Sequence, residues 1–146
     1  MNAVWITPIQ SKNWSIIFKE KKFGVSFNIA SKLEKIEIGD YLAFLLLSSK
    51  KGIIGLGRVI SKPYIENIGL WTISEGVVKY PYRVNLHFDE KLLLTKKTSI
   101  PLYKVAGYYN KEPEYTIEPL LKDVNFFQLA YADSVNLFSL IKEIKS

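Results

Sequence analysis

The chain has 146 residues, of which 48% are hydrophobic and 14% aromatic. This length and apolar content predict a single folded domain over residues 1–146 and exclude a disordered tail. The sequence contains no cysteine, which excludes disulfides, thiol catalysis and cysteine-ligated zinc, and is typical of a cytoplasmic protein. The longest apolar run, Tyr41–Leu47, is far shorter than the roughly 20 residues that cross a bilayer, so we expect no membrane partner.

The charge is strongly basic, with 20 Lys and Arg residues against 14 Asp and Glu and a net charge of +6. A compact basic domain attracts polyanions and permits nucleic-acid binding, because the release of condensed counterions drives that association. Only Arg58 and Arg83 are arginines. Lysine must therefore carry most of the positive field, and bidentate phosphate clamps have few candidates.

The N-terminal segment predicts a strand followed by a helix. Ala3–Thr7 favours a strand that Pro8 ends, because proline cannot donate to a ladder. Ser11 is the predicted N-cap of the helix. The apolar side chains of this helix recur at the i, i+3, i+4 spacing of one face; they are Trp14, Ile17 and Phe18.

The middle of the chain predicts an antiparallel hairpin. A turn at Gly39-Asp40 precedes a buried strand over Tyr41–Leu47, and a polar turn over Ser48–Gly52 leads into a second strand over Ile53–Ile60. Pro63 ends this pair of strands.

Further strands are predicted at Arg83–Phe88, where polar and apolar residues alternate, and at Lys91–Thr95. Residues 96–117 predict a loop with at most one short strand. Near the end, Asp133 or Ser134 is the predicted cap of a last helix. The side chains expected to pack this helix on the sheet are Leu137, Phe138, Ile141 and Ile144.

Five short segments, taken together, resemble the EVE family in their order and spacing. They are Asn13-Trp14, Phe23-Gly24-Val25, Gly39-Asp40, Gly55-Leu56-Gly57-Arg58-Val59 and Tyr80-Pro81-Tyr82-Arg83-Val84. The resemblance covers about residues 3–95 and is clearest in the last segment. It implies an α+β fold of the PUA-like type, a mixed and mostly antiparallel β-barrel with flanking helices, related to the YTH and ASCH domains.

By the same resemblance, we expect a reader of nucleic acid that holds a flipped, modified base between aromatic side chains. DNA and RNA both remain open as partners, as does the oligomeric state. Phe23 and Trp71 are the expected walls, and the amide of Asn13 the group that bonds the base edge. The alternatives are a core position for Phe23, loop anchoring for Trp71 and a helix cap for Asn13. The full predicted base-binding set is Asn13, Phe23, Gly24, Val25, Ser26, Trp71, Tyr80 and Tyr82.

Two other tryptophans, Trp14 and Trp5, are assigned to packing. Phosphate contacts are expected from basic residues near the predicted pocket: Lys21, Lys22, Lys50, Lys51 and Arg83. For Arg83, a salt bridge to a buried acid such as Asp40 is an equally good interpretation.

The sequence departs from the EVE pattern in three places. Phe23 stands where the family commonly has tryptophan, and Ser26 where it commonly has proline. The segment Phe27–Ala30 is uncharged where the family tends to be basic. A phenylalanine still stacks on a base but offers a smaller face, so we expect altered affinity or base choice.

Two other functions stay open. Some ASCH-type domains resemble this layout and cleave amides of modified nucleosides with a lysine, a threonine and a glutamate, and Thr7 and several Lys and Glu residues are present here. The other alternative is an adaptor that binds protein through a flat aromatic patch. No spacing selects catalytic residues, a metal site or a cofactor, and His87 is the only histidine, so we expect none of these.

Overall fold

The computed structural model describes residues 2–47, 52–71, 80–106 and 126–146. Its strands form one curled sheet, a half-barrel. The strands are β1 (Val4–Ile9), β2 (Lys22–Val25), β3 (Tyr41–Leu46), β4 (Gly52–Val59), β5 (Tyr64–Ile65), β6 (Tyr82–Leu93) and β7 (Phe127–Gln128). The helices are α1 (Ser11–Glu20), α2 (Ala30–Leu33), α3 (Leu102–Val105) and α4 (Tyr131–Lys145), with a 3-10 turn over Phe27–Ile29 before α2.

The strand order in the sheet is β2-β6-β4-β3-β1-β7, and β5 pairs with the start of β6. Strands β1 and β3 run parallel, with Val4 opposite Tyr41 and Ile9 opposite Leu46. Each of the other described pairs is antiparallel. The predicted hairpin of β3 and β4 is thereby confirmed, and the turn before it has Gly39 at φ 98°, a conformation that favours glycine.

Two hydrophobic cores lie on the two faces of the sheet. The inner core joins strand residues such as Phe44 and Val84 to Ile17 of α1 and to Leu33 of α2. Trp14, Phe18 and Phe88 cluster beside it, with ring centroids 5.3–5.7 Å apart. The expected packing role of Trp14 therefore fits its position.

The outer core is covered by α3 and α4. Leu137 and Ile141 of α4 are buried against Val4 and Ile6 of the sheet face. Ile144, which was expected to pack there, is 40% exposed in the last turn of α4. The predicted apolar stripe is thus correct except at its last turn.

A single carboxylate, Asp40, ties the start of β1 to the turn before β3. Its oxygens accept hydrogen bonds from the backbone N–H of Ala3 at 3.0 Å, from the Trp5 indole at 3.1 Å and from the backbone N–H of Glu37 at 2.9 Å. These bonds satisfy a side chain that is almost fully buried. Trp5 is buried too, which agrees with its assignment to packing.

Strand boundaries differ from prediction at Pro8 and after residue 82, and β2, β5 and β7 lie in segments for which no strand was predicted. Strand β1 continues through Pro8 to Ile9, and Pro8 pairs with Leu45 of β3. The described pairing of β7 reaches only Trp5 and Ile6, so the missing N–H of proline faces no described partner strand on that side. The two predicted strands after residue 82 are one, β6, because β6 pairs first with β2 and then with β4 along its length.

Both predicted helix caps are wrong, by one residue at α1 and by three or four residues at α4. The residue before α1 is Gln10, and the Ser11 hydroxyl lies inside the first turn, buried without a hydrogen-bond partner. Helix α4 begins after Ala130, and the Ser134 hydroxyl donates to the Ala130 carbonyl at 3.2 Å. Apolar periodicity marks the helix body better than its ends, where capping depends on the incoming chain.

Some predictions concern residues outside the described ranges. They include most of the Ser48–Gly52 turn and the later part of the loop predicted over residues 96–117. Within the described part of the chain, no helix is both long enough and apolar enough to cross a membrane.

Candidate functional site

A cavity of about 240 Å³ lies between the first turn of α1, strand β2 and the segment around Trp71. We call it the α1–β2 cavity. Its lining includes six of the eight predicted base-binding residues, namely Asn13, Phe23, Gly24, Val25, Trp71 and Tyr80. These residues are up to 67 positions apart in sequence, and the curled sheet brings them together.

Strand β2 supplies one wall of the α1–β2 cavity. Phe23 pairs with Val84 of β6 and is 6% exposed. Its ring also makes edge contacts with Phe44 at 6.0 Å and Phe126 at 6.2 Å between centroids. Phe23 is therefore a core residue and a cavity residue at once, which merges two interpretations that the sequence left as alternatives.

Trp71 and Tyr80 supply the opposite aromatic surface. Their rings meet edge to face with centroids 5.8 Å apart. Tyr80 has a φ of 55°, in the left-handed region that a bulky residue rarely adopts. Tyr80 holds this conformation beside Gly24, where the lack of a side chain leaves room for its carbonyl group.

Arg83 contacts both members of this aromatic pair and is not among the described residues that line the cavity. Its guanidinium is fully buried and lies 5.0 Å from the centre of the Trp71 ring. Nε donates to the Tyr80 carbonyl at 2.9 Å, and Nη2 donates to the Ile68 carbonyl at 2.5 Å. A planar fork of donors is needed to satisfy these partners at once.

The acid that pairs with Arg83 is Glu66, not Asp40. Arg83 Nη1 lies 2.6 Å from Glu66 Oε1, and Lys22 Nζ lies 3.0 Å from both carboxylate oxygens. The hydrogen bonds from Lys22 and then Arg83 lower the pKa of Glu66. The bond to Glu66 in turn raises the pKa of Lys22, against the effect of its burial.

The first turn of α1 supplies the polar side of the α1–β2 cavity. Asn13 and Lys12 both line it, with Gln10 just before them. Asn13 lies inside the helix, so it is not the N-cap that the sequence also allowed. Its side-chain amide offers a donor and an acceptor in a position that lines the cavity.

The remaining predicted site residues lie elsewhere. Ser26 and Tyr82 are not among the described lining residues, and the Tyr82 hydroxyl donates to Glu34 at 2.6 Å, which raises the pKa of Tyr82. Lys21 is exposed at the end of α1 with φ 56°. Lys50 and Lys51 lie outside the described residues.

The structure changes the assignment of two predicted phosphate ligands. Arg83 has no exposed surface with which to meet a phosphate, and Lys22 is engaged with Glu66. Both side chains belong instead to the ion-pair group around Glu66 that supports Trp71. The structure instead brings an exposed cation, Lys12, into the cavity lining.

Sequence reasoning missed Lys12 and the role of Glu66. The sequence alone presents Lys12 as an ordinary solvated lysine of the helix, although its place next to Asn13 puts both side chains in the same first turn. Glu66 had no signal, because its partners Lys22 and Arg83 are 44 and 17 positions away. Residues at the ends of β1 and β3 also line the cavity. They lie in apolar runs, which predict burial but not a binding site.

Among the described residues, no group of three or more His, Cys, Asp or Glu side chains is placed to hold a metal ion.

No family model matches the chain. A UPF0310 protein of Pyrococcus abyssi is 24% identical over 91 residues, which cover 58% of this chain and 64% of that protein. The chain thus spans 64% of the length of the curated relative that it matches.

Three solved structures share the fold. A hypothetical protein from Leishmania major superposes with a TM-score of 0.69 at 16% identity, over 100% of this chain and 98% of that one. A protein from Pseudomonas syringae gives 0.62 at 16% identity, over 95% and 99%. The YTH domain-containing protein mmi1, solved in complex with RNA, gives 0.63 at 12% identity, over 96% and 81%.

Identities this low show a common fold alone. The predicted fold class is confirmed: a mixed α+β architecture with a curled, mostly antiparallel sheet and flanking helices, as in YTH and PUA-like domains. Membership of the EVE family stays a prediction.

Proposed function

We propose that the chain is a nucleic-acid reader that holds one flipped, modified base in the α1–β2 cavity. The observation that carries this proposal is the convergence of Phe23, Trp71 and Tyr80 on one concave site. Extraction of a base from its stack costs a few kcal/mol. Stacking on aromatic side chains returns about 1–3 kcal/mol per base, so this lining can offset most of that cost.

The size of the cavity supports a small planar ligand. Pockets for drug-sized molecules measure roughly 300–1,000 Å³, and the α1–β2 cavity measures about 240 Å³. This volume suits a single ring system better than a whole nucleotide. The sugar and phosphates of the strand would then stay at the mouth of the cavity.

A polar group beside the aromatic surface supports recognition of a base edge. Asn13 lies in the cavity lining, and an amide can donate to one ring atom and accept from its neighbour. Base edges present donors and acceptors in this adjacent arrangement. Asn13 would therefore distinguish among bases that the aromatic rings accept equally.

The overall charge and fold support a nucleic-acid partner. The net charge of +6 favours contact with phosphates, which sets affinity without reading sequence. The fold is shared with a YTH domain that was solved with bound RNA. DNA and RNA are both included in the proposal, and the experiment separates them.

An ASCH-like amidohydrolase is the second candidate, because Lys12 lies in the cavity lining. That chemistry also requires a threonine and a glutamate beside the lysine. Thr7 is fully buried and donates to the Trp5 carbonyl at 3.1 Å, and it is not among the described lining residues. A flat adaptor patch is disfavoured by the concave shape of the site. Binding without turnover is therefore the function proposed.

The test is a binding panel of single-stranded and duplex DNA and RNA oligonucleotides, each with and without one modified base, at two salt concentrations. We expect affinity to fall with salt for every oligonucleotide, as phosphate contacts require. At constant salt, we expect at least one modified base to bind more tightly than its unmodified parent. Equal affinity for all bases and an abasic site would contradict a base-reading function.

Phe23→Leu tests the cavity, with Phe18→Leu as its matched control. Phe18 is on α1, is 44% exposed and does not line the α1–β2 cavity. We expect Phe23→Leu to reduce the ratio of modified-base to abasic-site affinity about tenfold, as the loss of one aromatic stack implies. Phe18→Leu should leave this ratio unchanged. An unchanged ratio in Phe23→Leu would place the base elsewhere. The ratio is read in folded protein, so a loss of stability alone does not alter it.

A further inference from the structure

The aromatic surface of the α1–β2 cavity is backed by a buried cation. The Arg83 guanidinium lies 5.0 Å from the Trp71 ring centre and is fully removed from water. A cation over an aromatic face is attracted by the negative face of the ring quadrupole. Because the Arg83 guanidinium already interacts with the Trp71 ring, this ring attracts a second cation less strongly.

The acid beside Arg83 does not neutralise all the positive charge around it. Glu66 is shared between Arg83 Nη1, at 2.6 Å, and Lys22 Nζ, at 3.0 Å. One carboxylate between two cations leaves a surplus of one positive charge. Because this group is partly or fully buried, its field is screened less than that of a surface charge.

The opposite side of the cavity is also positive. Lys12 lines it from the first turn of α1, and that turn contains no acidic residue. The N-terminus of a helix carries the positive end of the macrodipole, where an anion is favoured and a cation is disfavoured. Lys12 therefore adds charge where the helix itself already repels cations.

From these three positive contributions, we propose that the α1–β2 cavity selects an uncharged base and rejects a base that carries a positive charge, such as one methylated on a ring nitrogen. This inference rests on the proposed function, and it names the chemical class of base that the site takes. An aromatic surface alone would favour the cationic base, as methyl-lysine cages do. The placement of Arg83 and Lys12 reverses that preference.

Two pairs of methylated bases test the inference, because the members of each pair carry one methyl group at different positions and differ in charge near neutral pH. N6-methyladenine is uncharged, and 1-methyladenine is cationic near pH 7. Likewise 5-methylcytosine is uncharged, and 3-methylcytosine is cationic. Each is placed at the same position of one single-stranded oligonucleotide, beside the parent base and an abasic site, and Kd is measured at constant salt.

We expect the uncharged isomer of at least one pair to bind at least about tenfold more tightly than its cationic isomer, which corresponds to about 1.4 kcal/mol, and neither pair to show the opposite order. Equal or tighter binding of the cationic isomers would overturn the inference. The oligonucleotide with the abasic site distinguishes failure of the charge selection from failure of the proposed function. If the isomers bind equally but all bind more tightly than the abasic site, the reader stands and charge selection fails. If every oligonucleotide binds equally, both fail.

Lys12→Gln tests the contribution of the cavity charge without disturbing the core, since Lys12 is exposed and glutamine is a good helix former. We expect this variant to lower the isomer preference about threefold by improving binding of the cationic base. The matched control is Lys142→Gln, which removes an equal charge from α4 on the other face of the sheet. An isomer preference that is unchanged in Lys12→Gln, or lowered equally in both variants, would contradict a role for Lys12 in the cavity field.

Discussion

Gly24 lies directly against the carbonyl group of Tyr80. A Cβ atom on Gly24 would come within 2.5 Å of the Tyr80 oxygen and 3.0 Å of the Tyr80 Cβ. The same oxygen accepts a hydrogen bond from Arg83 Nε at 2.9 Å. Strand β2 and the aromatic wall of the cavity are therefore held together at one point where only glycine fits.

Gly24→Ala should displace Tyr80 and lower the free energy of unfolding by about 1–3 kcal/mol, the usual cost of overpacking against backbone. Chemical denaturation measures the loss. Gly55→Ala is the control, because its Cβ would meet the flexible Leu93 side chain at 3.0 Å and backbone only at 3.4 Å. Equal stability of both alanine variants would show that the Gly24 contact does not constrain Tyr80.

The local parts of this fold could be predicted from the sequence, but the contact between Gly24 and Tyr80 could not. Apolar periodicity indicated α1, and two apolar runs around a polar turn indicated the antiparallel pair β3 and β4. Gly24 stands between two bulky residues, which is typical of a tight backbone passage but does not identify the neighbouring residue. That neighbour lies 56 positions away and depends on how β2 pairs with β6.

Arg83→Lys should destabilise the protein by about 1.5–3 kcal/mol although it keeps the charge. An ammonium group cannot reproduce the planar fork that reaches Glu66, Tyr80 and Ile68 together, and a buried group that loses a charged hydrogen bond costs about this much. Denaturant midpoints give the comparison. Arg58→Lys is the control, since Arg58 is exposed on β4 and a substitution there should change stability by less than about 0.5 kcal/mol. A loss for Arg83→Lys no larger than for Arg58→Lys would show that the fork is dispensable.

The stability of the protein should fall in acid partly through Glu66. Hydrogen bonds from Lys22 and Arg83 lower the pKa of Glu66 from its ordinary value of 4.5. Ionised Glu66 therefore stabilises the fold above pH 4.5, and this contribution is lost as the pH falls through the lower pKa of the folded state. We expect Glu66→Gln to be less stable at neutral pH and to lose less stability between pH 5 and pH 3 than the wild type.

Thermal unfolding across that pH range measures the difference in slope. Glu90→Gln is the control, because Glu90 is exposed on β6. It should keep the slope of the wild type. If Glu66→Gln keeps that slope as well, the acid sensitivity arises from other carboxylates.

The candidate site was predicted in its aromatic parts and missed in its charged parts. Phe23 and Trp71 are the predicted walls of the base pocket, and both line the cavity. For Arg83 the sequence left two positions open, an exposed one that contacts phosphate and a buried one that pairs with an acid. Burial decides between those positions, and burial of β6 follows from its pairing with both β2 and β5, which sequence periodicity does not reveal.

Phe23→Trp restores the residue that the EVE pattern commonly has at this position, and it should cost stability here. The Phe23 ring is 6% exposed and packs against Phe44 and Phe126. A larger indole in this space should lower the free energy of unfolding by about 1–3 kcal/mol. In the folded protein, its wider face should increase the ratio of modified-base to abasic-site affinity, because stacking grows with ring area.

Phe18→Trp is the control for Phe23→Trp, since Phe18 is partly exposed on α1 and can enlarge toward solvent. It should change stability by less than about 0.5 kcal/mol and leave the affinity ratio unchanged. If Phe23→Trp instead preserves stability and raises the ratio, the cavity has spare room beside β2. If it lowers stability without raising the ratio, Phe23 contributes core packing only, and Trp71 with Tyr80 must supply the stacking surface.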